Sequence, residues 1–362
     1  MTLIFVVILT ALVFEFINGF HDTANSIATV VATRVLQPRQ AVMMAAVMNL
    51  FGALWGTAVA STIASGLIDP RVASQEVLIC ALLGAIIWNL ITWYAGLPSS
   101  SSHALVGGLV GAAVAAAGSW DVVIWSVPQP GSWYPKGILG KVVIPMFASP
   151  LLGFILGMLV MGLLFALLRN TRPYTVNRIF GKAQFGSAMA MGFMHGTNDA
   201  QKTMGIIALA LAAGTANGGL DNLPDWLDFM RTAPAEPGKS LTIAVWIKLT
   251  CAVIMAAGTA SGGWRIIKTL GHKMVRLQPV HGFAAEASSA AIIGVASHFG
   301  FPVSTTHTVS SAIMGVGAAK RFSALKWHVV ESMVWAWVLT IPVSAALAYL
   351  LMACLKAFGY AS

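Results

Sequence analysis

Two polar motifs interrupt otherwise apolar stretches of this chain. In NGFHDTANSIATVVATR, residues 18–34, His21, Asp22 and Asn25 follow an apolar run that begins at Leu3 and is broken only by Glu15. In HGTNDAQKT, residues 195–203, Asn198, Asp199 and Lys202 stand in a like order. Asp22 and Asn25 are three residues apart, as are Asp199 and Lys202, so on a helix each pair shares a face. Carboxylate and amide oxygens suit a hard cation or a proton. One aspartate at bilayer depth costs about 2.5–3.5 kcal/mol on insertion scales, so these positions are expected to do chemistry there.

A second pair of motifs suits the opposite charge. GLPSSSSH, residues 96–103, and GFPVSTTH, residues 300–307, share the pattern G-x-P-x-S-[ST]-[ST]-H. Gly and Pro end a helix, and a hydroxyl residue caps the next. The first turn of that new helix carries unpaired N–H groups and positive partial charge, a site for a tetrahedral oxyanion. Ser101, Ser102, Thr305 and Thr306 add hydroxyl donors there, with Asn25 and Lys202 as further anion ligands and Ser304 as an accessory hydroxyl. Carboxylates beside an anion repel it unless a cation or proton lies between, which is what a symporter needs. Asp22, Asp199, Asn198 and His21 are therefore assigned to a coupling ion, proton or sodium. His103 and His307 serve either helix packing or proton and substrate handling. Glu15 and Glu286, the latter in GFAAEASSA, are accessory candidates for the coupling ion, Glu286 being either intramembrane or interfacial. Lys248 is intramembrane or snorkelling. Cys80, Cys251 and Cys354 stand singly, without metal spacing or a disulfide framework, and read as small buried apolar groups. No resident metal or cofactor is assigned.

The elements that hold these residues must span a membrane. The 362 residues are 57% hydrophobic and 9% charged, against about 25% charged in soluble domains. With a mean hydropathy of +0.80, this is an all-α polytopic membrane protein. The first apolar run lacks a basic leader and is read as a retained span rather than a signal peptide. The net charge of +9 sits in short loops, a topology signal and not a nucleic-acid footprint. The loops 169–182, 264–276 and 320–326 are basic and should be cytoplasmic; 119–141 and the acidic 214–240 should face outward. Ten crossings with both termini outside satisfy all five loops. The stretches 3–34 and 183–213, about 46 Å if helical, are too long for one straight span. Broken or re-entrant helices are expected at the motifs, giving ten to twelve segments.

The motifs also mark an internal repeat. The first pair, G-x-[HN]-D-x-x-[NK]-[ST], is offset by 177 residues and the second by 204. The difference of 27 equals the length of the 214–240 insertion. A weaker pair, Gly56-Thr57-Ala58 and Gly258-Thr259-Ala260, has offset 202. The expected organisation is a first repeat over 1–168, a basic linker 169–182, and a second repeat over 183–362 with 214–240 as an external loop. Five crossings per half is odd, so the repeats should be inverted, as in secondary transporters.

GFHDTAN, HGTNDAQK, GLPSSSSHAL and GFPVSTTHT resemble the signatures of the inorganic phosphate transporter (PiT) family, with motifs spanning Gly19 to Thr308. The resemblance implies an inverted-repeat carrier of inorganic phosphate coupled to protons or sodium. Many members carry N-D-x-x-N in both halves; here His21 and Lys202 replace asparagines. That resembles the bacterial low-affinity, proton-coupled branch in the inner membrane, where a neutral metal–phosphate complex is an alternative cargo. Both replacements add proton-active groups and favour proton symport. Sodium coupling and sulfate transport are the rivals within the fold. The rival from another class is a membrane-embedded phosphohydrolase, for which neither G-x-S-x-G nor H-E-x-x-H is present. The expected partners are phosphate, the coupling cation and the lipid bilayer, with a homo-oligomer left open.

Overall fold

The computed structural model describes residues 2–128, 134–221, 223–232 and 242–360. Twelve α-helices follow one another among them: α1 (Thr2–Ala32), α2 (Pro38–Ala53), α3 (Ala58–Ser65), α4 (Gln75–Ala95), α5 (Ser101–Ala117), α6 (Ile144–Leu168), α7 (Pro173–Ala216), α8 (Val245–Ser261), α9 (Trp264–Lys268), α10 (Pro279–His298), α11 (Thr305–Lys320) and α12 (Trp327–Ala357). A π-helical turn, Leu139–Val143, leads into α6, and another, Thr269–Lys273, continues α9. No strand forms among the described residues; two isolated bridges, Ile68 to Val123 and Val127 to Lys136, tie the segment after α5.

Four helices are long and apolar enough to cross a membrane: Thr2–Ala32, Gln75–Ala95, Leu139–Leu168 and Trp327–Ala357. Two further apolar helix pairs pass the same test together but bend at a short break, α2 with α3 at 68° and α8 with the α9 segment at 58°, the geometry of a broken span or a re-entrant loop. Among the remaining helices α5 is apolar but only 17 residues long, whereas α7, α10 and α11 are more polar and face protein along most of their length. Every residue of α11 from Thr305 to Ala318 is buried, as is α5 from Ser101 to Leu109.

Packing repeats with the halves exchanged. α1 lies on α8 and α7 on α2; α5 lies on α12 and α11 on α6; α4 lies on α12 and α10 on α6. The first glycine of each repeated motif makes one of these crossings. A Cβ on Gly19 would stand 2.5 Å from Met255 O, and one on Gly196 would stand 2.3 Å from Asn49 O. The opposing helices answer with Gly258, against Phe16 O, and Gly52, against Phe193 O. Small residues are how membrane helices approach this closely. The counterpart of Gly258 is thus Gly52, one turn before the Gly56 that sequence similarity pairs with it.

Several expectations are corrected. α1 and α7 pass through their motifs unbroken, since neither stretch contains proline and its central glycine serves a crossing rather than a kink. The breaks fall instead at 54–57, at 262–263 and at the turns of the second motif pair. The basic segment 169–182 is helical from Pro173 onward, which adds three turns to α7. Cys354 is exposed, whereas Cys80 and Cys251 are buried. Glu286 is buried against protein within α10. Of the acidic loop 214–240, residues 222 and 233–240 lie outside the described residues; α7 takes its beginning as far as Ala216, and a 3₁₀ turn forms at Asp225–Met230.

Candidate functional site

The second motifs form as their cap chemistry dictates. Gly96 closes α4 at φ +68, and Gly300 follows α10 at φ +67, a conformation that costs glycine little. Ser100 Oγ then accepts from the His103 N–H at 3.2 Å, and Ser304 Oγ from the His307 N–H at 3.1 Å. These N-caps leave the N–H groups at 101, 102, 305 and 306 at the open ends of α5 and α11. Each turn is braced by the second helix of the opposite half's bent pair. Thr269 Oγ1 donates to Gly96 O at 2.9 Å, and Thr62 Oγ1 donates to Gly300 O at 2.8 Å.

Both helix starts meet the first motifs. Ser101 Oγ donates to Asp22 Oδ2 at 3.0 Å. Thr305 Oγ1 donates to Asp199 Oδ2 at 3.0 Å and Thr306 Oγ1 to Asp22 Oδ1 at 3.4 Å, so adjacent hydroxyls reach one aspartate from each half. Asn25 Nδ2 donates to Thr305 and Thr306, at 3.2 and 2.9 Å, while its Oδ1 has no partner among the described residues. Lys202 Nζ donates to Asp199 Oδ1, to Ser102 Oγ and, at 3.2 Å, to Val303 O. All these side chains are buried.

Each aspartate also has an imidazole. His21 Nδ1 lies 2.6 Å from Asp22 Oδ1, and its Nε2 lies 3.2 Å from Thr92 Oγ1 and 3.4 Å from Ser99 Oγ. His195 Nε2 lies 3.1 Å from Asp199 Oδ2, and its Nδ1 lies 3.1 Å from Asn49 Oδ1. Ligand atoms of Asp22, His195 and Asp199 all fall within 4.8 Å of one another. Such a group can hold a proton or a hard cation between two carboxylates, beside helix ends that attract an anion.

Other candidates stand apart. Asn198 Nδ2 turns to Ser297 Oγ and Phe301 O, at 2.9 and 3.1 Å, bracing the α10–α11 turn. His103 and His307 meet edge to face with ring centroids 4.8 Å apart, and His307 stacks on Trp337 at 4.3 Å. Glu286 accepts from Thr29 at 2.5 Å, from Gln184 at 3.0 Å and from Ser187. Glu15 accepts from Thr203. Sequence reasoning missed His195, although it stands one turn before Asp199. It also missed Thr92 and Ser99 behind His21, which no spacing rule connects to it.

The profile of the phosphate transporter family matches residues 18–348, which include all four motifs. A probable low-affinity inorganic phosphate transporter of Mycobacterium bovis is 44% identical over 342 residues, covering 94% of this chain and 75% of the relative. Proteins of the same name from Bacillus subtilis and Rhizobium meliloti are 41% and 42% identical, covering 94% and 95% of this chain and 93% of each relative. A solved structure, the sodium-dependent phosphate transporter, superposes with a TM-score of 0.80 at 24% identity, covering 99% of this chain and all of the other, and so shares the fold. With its whole site inside the matched region, this multi-pass membrane chain belongs to the phosphate transporter family, a family of transporters and not of enzymes.

Proposed function

We propose that the chain imports inorganic phosphate by symport with protons. The observation that carries this reading is the pair of neighbouring hydroxyls, Thr305 and Thr306, donating to Asp199 and Asp22 respectively. An oxyanion at the start of α11 must sit against both carboxylates. Two carboxylates and an anion repel at low dielectric unless protons or a cation neutralise them. The imidazoles of His21 and His195, one beside each aspartate, make protons the fitting partner.

In the loaded site, Ser101, Ser102, Thr305, Thr306, Asn25 and the Lys202 ammonium turn donors now given to the aspartates, to Val303 O and to one another toward phosphate. Asp22 and Asp199 carry the protons, with His21 as a relay on the first. Asn198 acts through the turn it braces, while Ser304 and the stacked His103 and His307 hold the helix ends in place. The three ligand atoms of Asp22, His195 and Asp199 also suit a divalent metal carried with phosphate as one neutral cargo.

The exchanged packing of the halves, with the five crossings per half expected from the sequence, supports inverted repeats on either side of the basic 169–182 segment. The basic loops support termini outside a bacterial inner membrane. The substrate assignment is tested by uptake of labelled phosphate into proteoliposomes, with unlabelled phosphate or sulfate in excess. Saturable accumulation that phosphate suppresses and sulfate does not is expected. Equal suppression by sulfate would overturn the choice of anion.

A further inference from the structure

A cavity of about 580 Å³ opens between α3, the segment leading into α6 and the α10–α11 turn, away from the aspartates. Its charged lining is Lys136, Lys141 and His298, and its described lining contains no acidic residue. Ser61, Thr62 and Ser65 present three hydroxyls from α3 on the facing wall. Lys141 is 7% exposed, and no carboxylate pairs with it among the described residues. Its Nζ donates to Phe299 O at 2.8 Å and stands 4.2 Å from the Tyr134 ring centroid and 4.9 Å from that of Phe301. An ammonium has three donors, and one carbonyl takes only one. A largely desolvated cation with donors to spare, in a hydroxyl-lined cavity without acids, attracts a small anion.

The floor of this cavity is the turn that carries the central hydroxyls. Phe299 and Gly300 line it, Thr62 and Lys141 hold their carbonyls from the cavity side, and Thr305 and Thr306 begin the helix beyond. We propose that the cavity is a reception site for a tetrahedral oxyanion, held by Lys136, Lys141 and His298 before it passes the α10–α11 turn to the aspartates. The ligand's identity as phosphate rests on the transport reading above; the oxyanion class rests on the lining alone.

The test uses the full chain in detergent, with Cys80, Cys251 and Cys354 replaced by alanine and Ser61→Cys as reporter. Its modification is timed with an anionic and a cationic thiosulfonate of similar size at low ionic strength. The anionic reagent should react about tenfold faster, as expected of a steering basic cleft. Added inorganic phosphate should slow both reagents, and the preference should shrink in Lys136→Gln and further with Lys141→Gln. Lys136 is exposed, so its variant keeps the test alive if Lys141→Gln does not fold. Equal rates, a cationic preference, or a preference indifferent to Lys136 would overturn the reception site. Proteoliposome uptake on the same preparations separates the two readings. Transport without phosphate protection sinks the reception site alone, and protection without transport sinks the transport reading alone.

Discussion

Asp22 and Asp199 bring carboxylate oxygens within 4.8 Å of each other across 177 residues of chain, and a ring nitrogen of His195 lies within the same distance of both. Asp199 is paired to the Lys202 ammonium, whereas among the described residues Asp22 has no lysine or arginine partner and is held by His21 and hydroxyls. That asymmetry divides the consequences of neutralising each one.

Asp22→Asn and Asp199→Asn should both abolish gradient-driven phosphate accumulation. Only Asp199→Asn strands the buried Lys202 ammonium, and breaking a buried pair from one side costs about 3–5 kcal/mol. Its melting temperature in detergent should fall well below that of Asp22→Asn. Adding Lys202→Gln should recover stability but not transport. Equal melting temperatures for the two single variants would refute the pairing.

Thr305→Val with Thr306→Val preserves side-chain volume and removes two hydroxyls. Hydrogen bonds to a charged group contribute about 1.5–3 kcal/mol each. The phosphate concentration for half-maximal uptake should rise at least about tenfold while the protein still inserts. An unchanged value would place the anion elsewhere.

The start of each second-motif helix was legible because Gly-x-Pro-x-Ser termination and capping are local events, and Ser100 and Ser304 cap as that chemistry requires. The partners of those helices were not legible. That Asn25 reaches Thr306, 281 residues away, depends on how the halves pack. The expected break in α1 failed for a similar reason: Gly19 looks like a hinge in sequence, and only the backbone of α8 reveals it as a contact. His195 was readable by helical spacing from Asp199. The cage of Thr29, Gln184 and Ser187 around Glu286 joins three helices and has no spacing signature.

Gly196→Ala puts a methyl 2.3 Å from Asn49 O, where only backbone could yield. Overpacking of this kind costs about 1–3 kcal/mol. Gly186→Ala, on the same helix with nothing within 4 Å, should be neutral or slightly stabilising. Thermal unfolding of both variants in detergent checks the contrast; similar melting temperatures would mean that α7 and α2 do not cross at Gly196.

Cysteines at Thr175 and Lys268, both exposed, report topology on a background lacking the native three. Impermeant thiol reagents should label neither in intact cells and both in permeabilised ones. Labelling in intact cells would reverse the orientation drawn from the basic loops.

The most direct measurement is phosphate uptake by proteoliposomes under one imposed gradient at a time. An inward proton gradient without sodium should drive accumulation above the external concentration, and dissipating it with a protonophore should release the phosphate. An inward sodium gradient at equal pH should add nothing. Accumulation that requires sodium and ignores pH would contradict proton coupling through Asp22 and Asp199, and would assign their shared site to sodium.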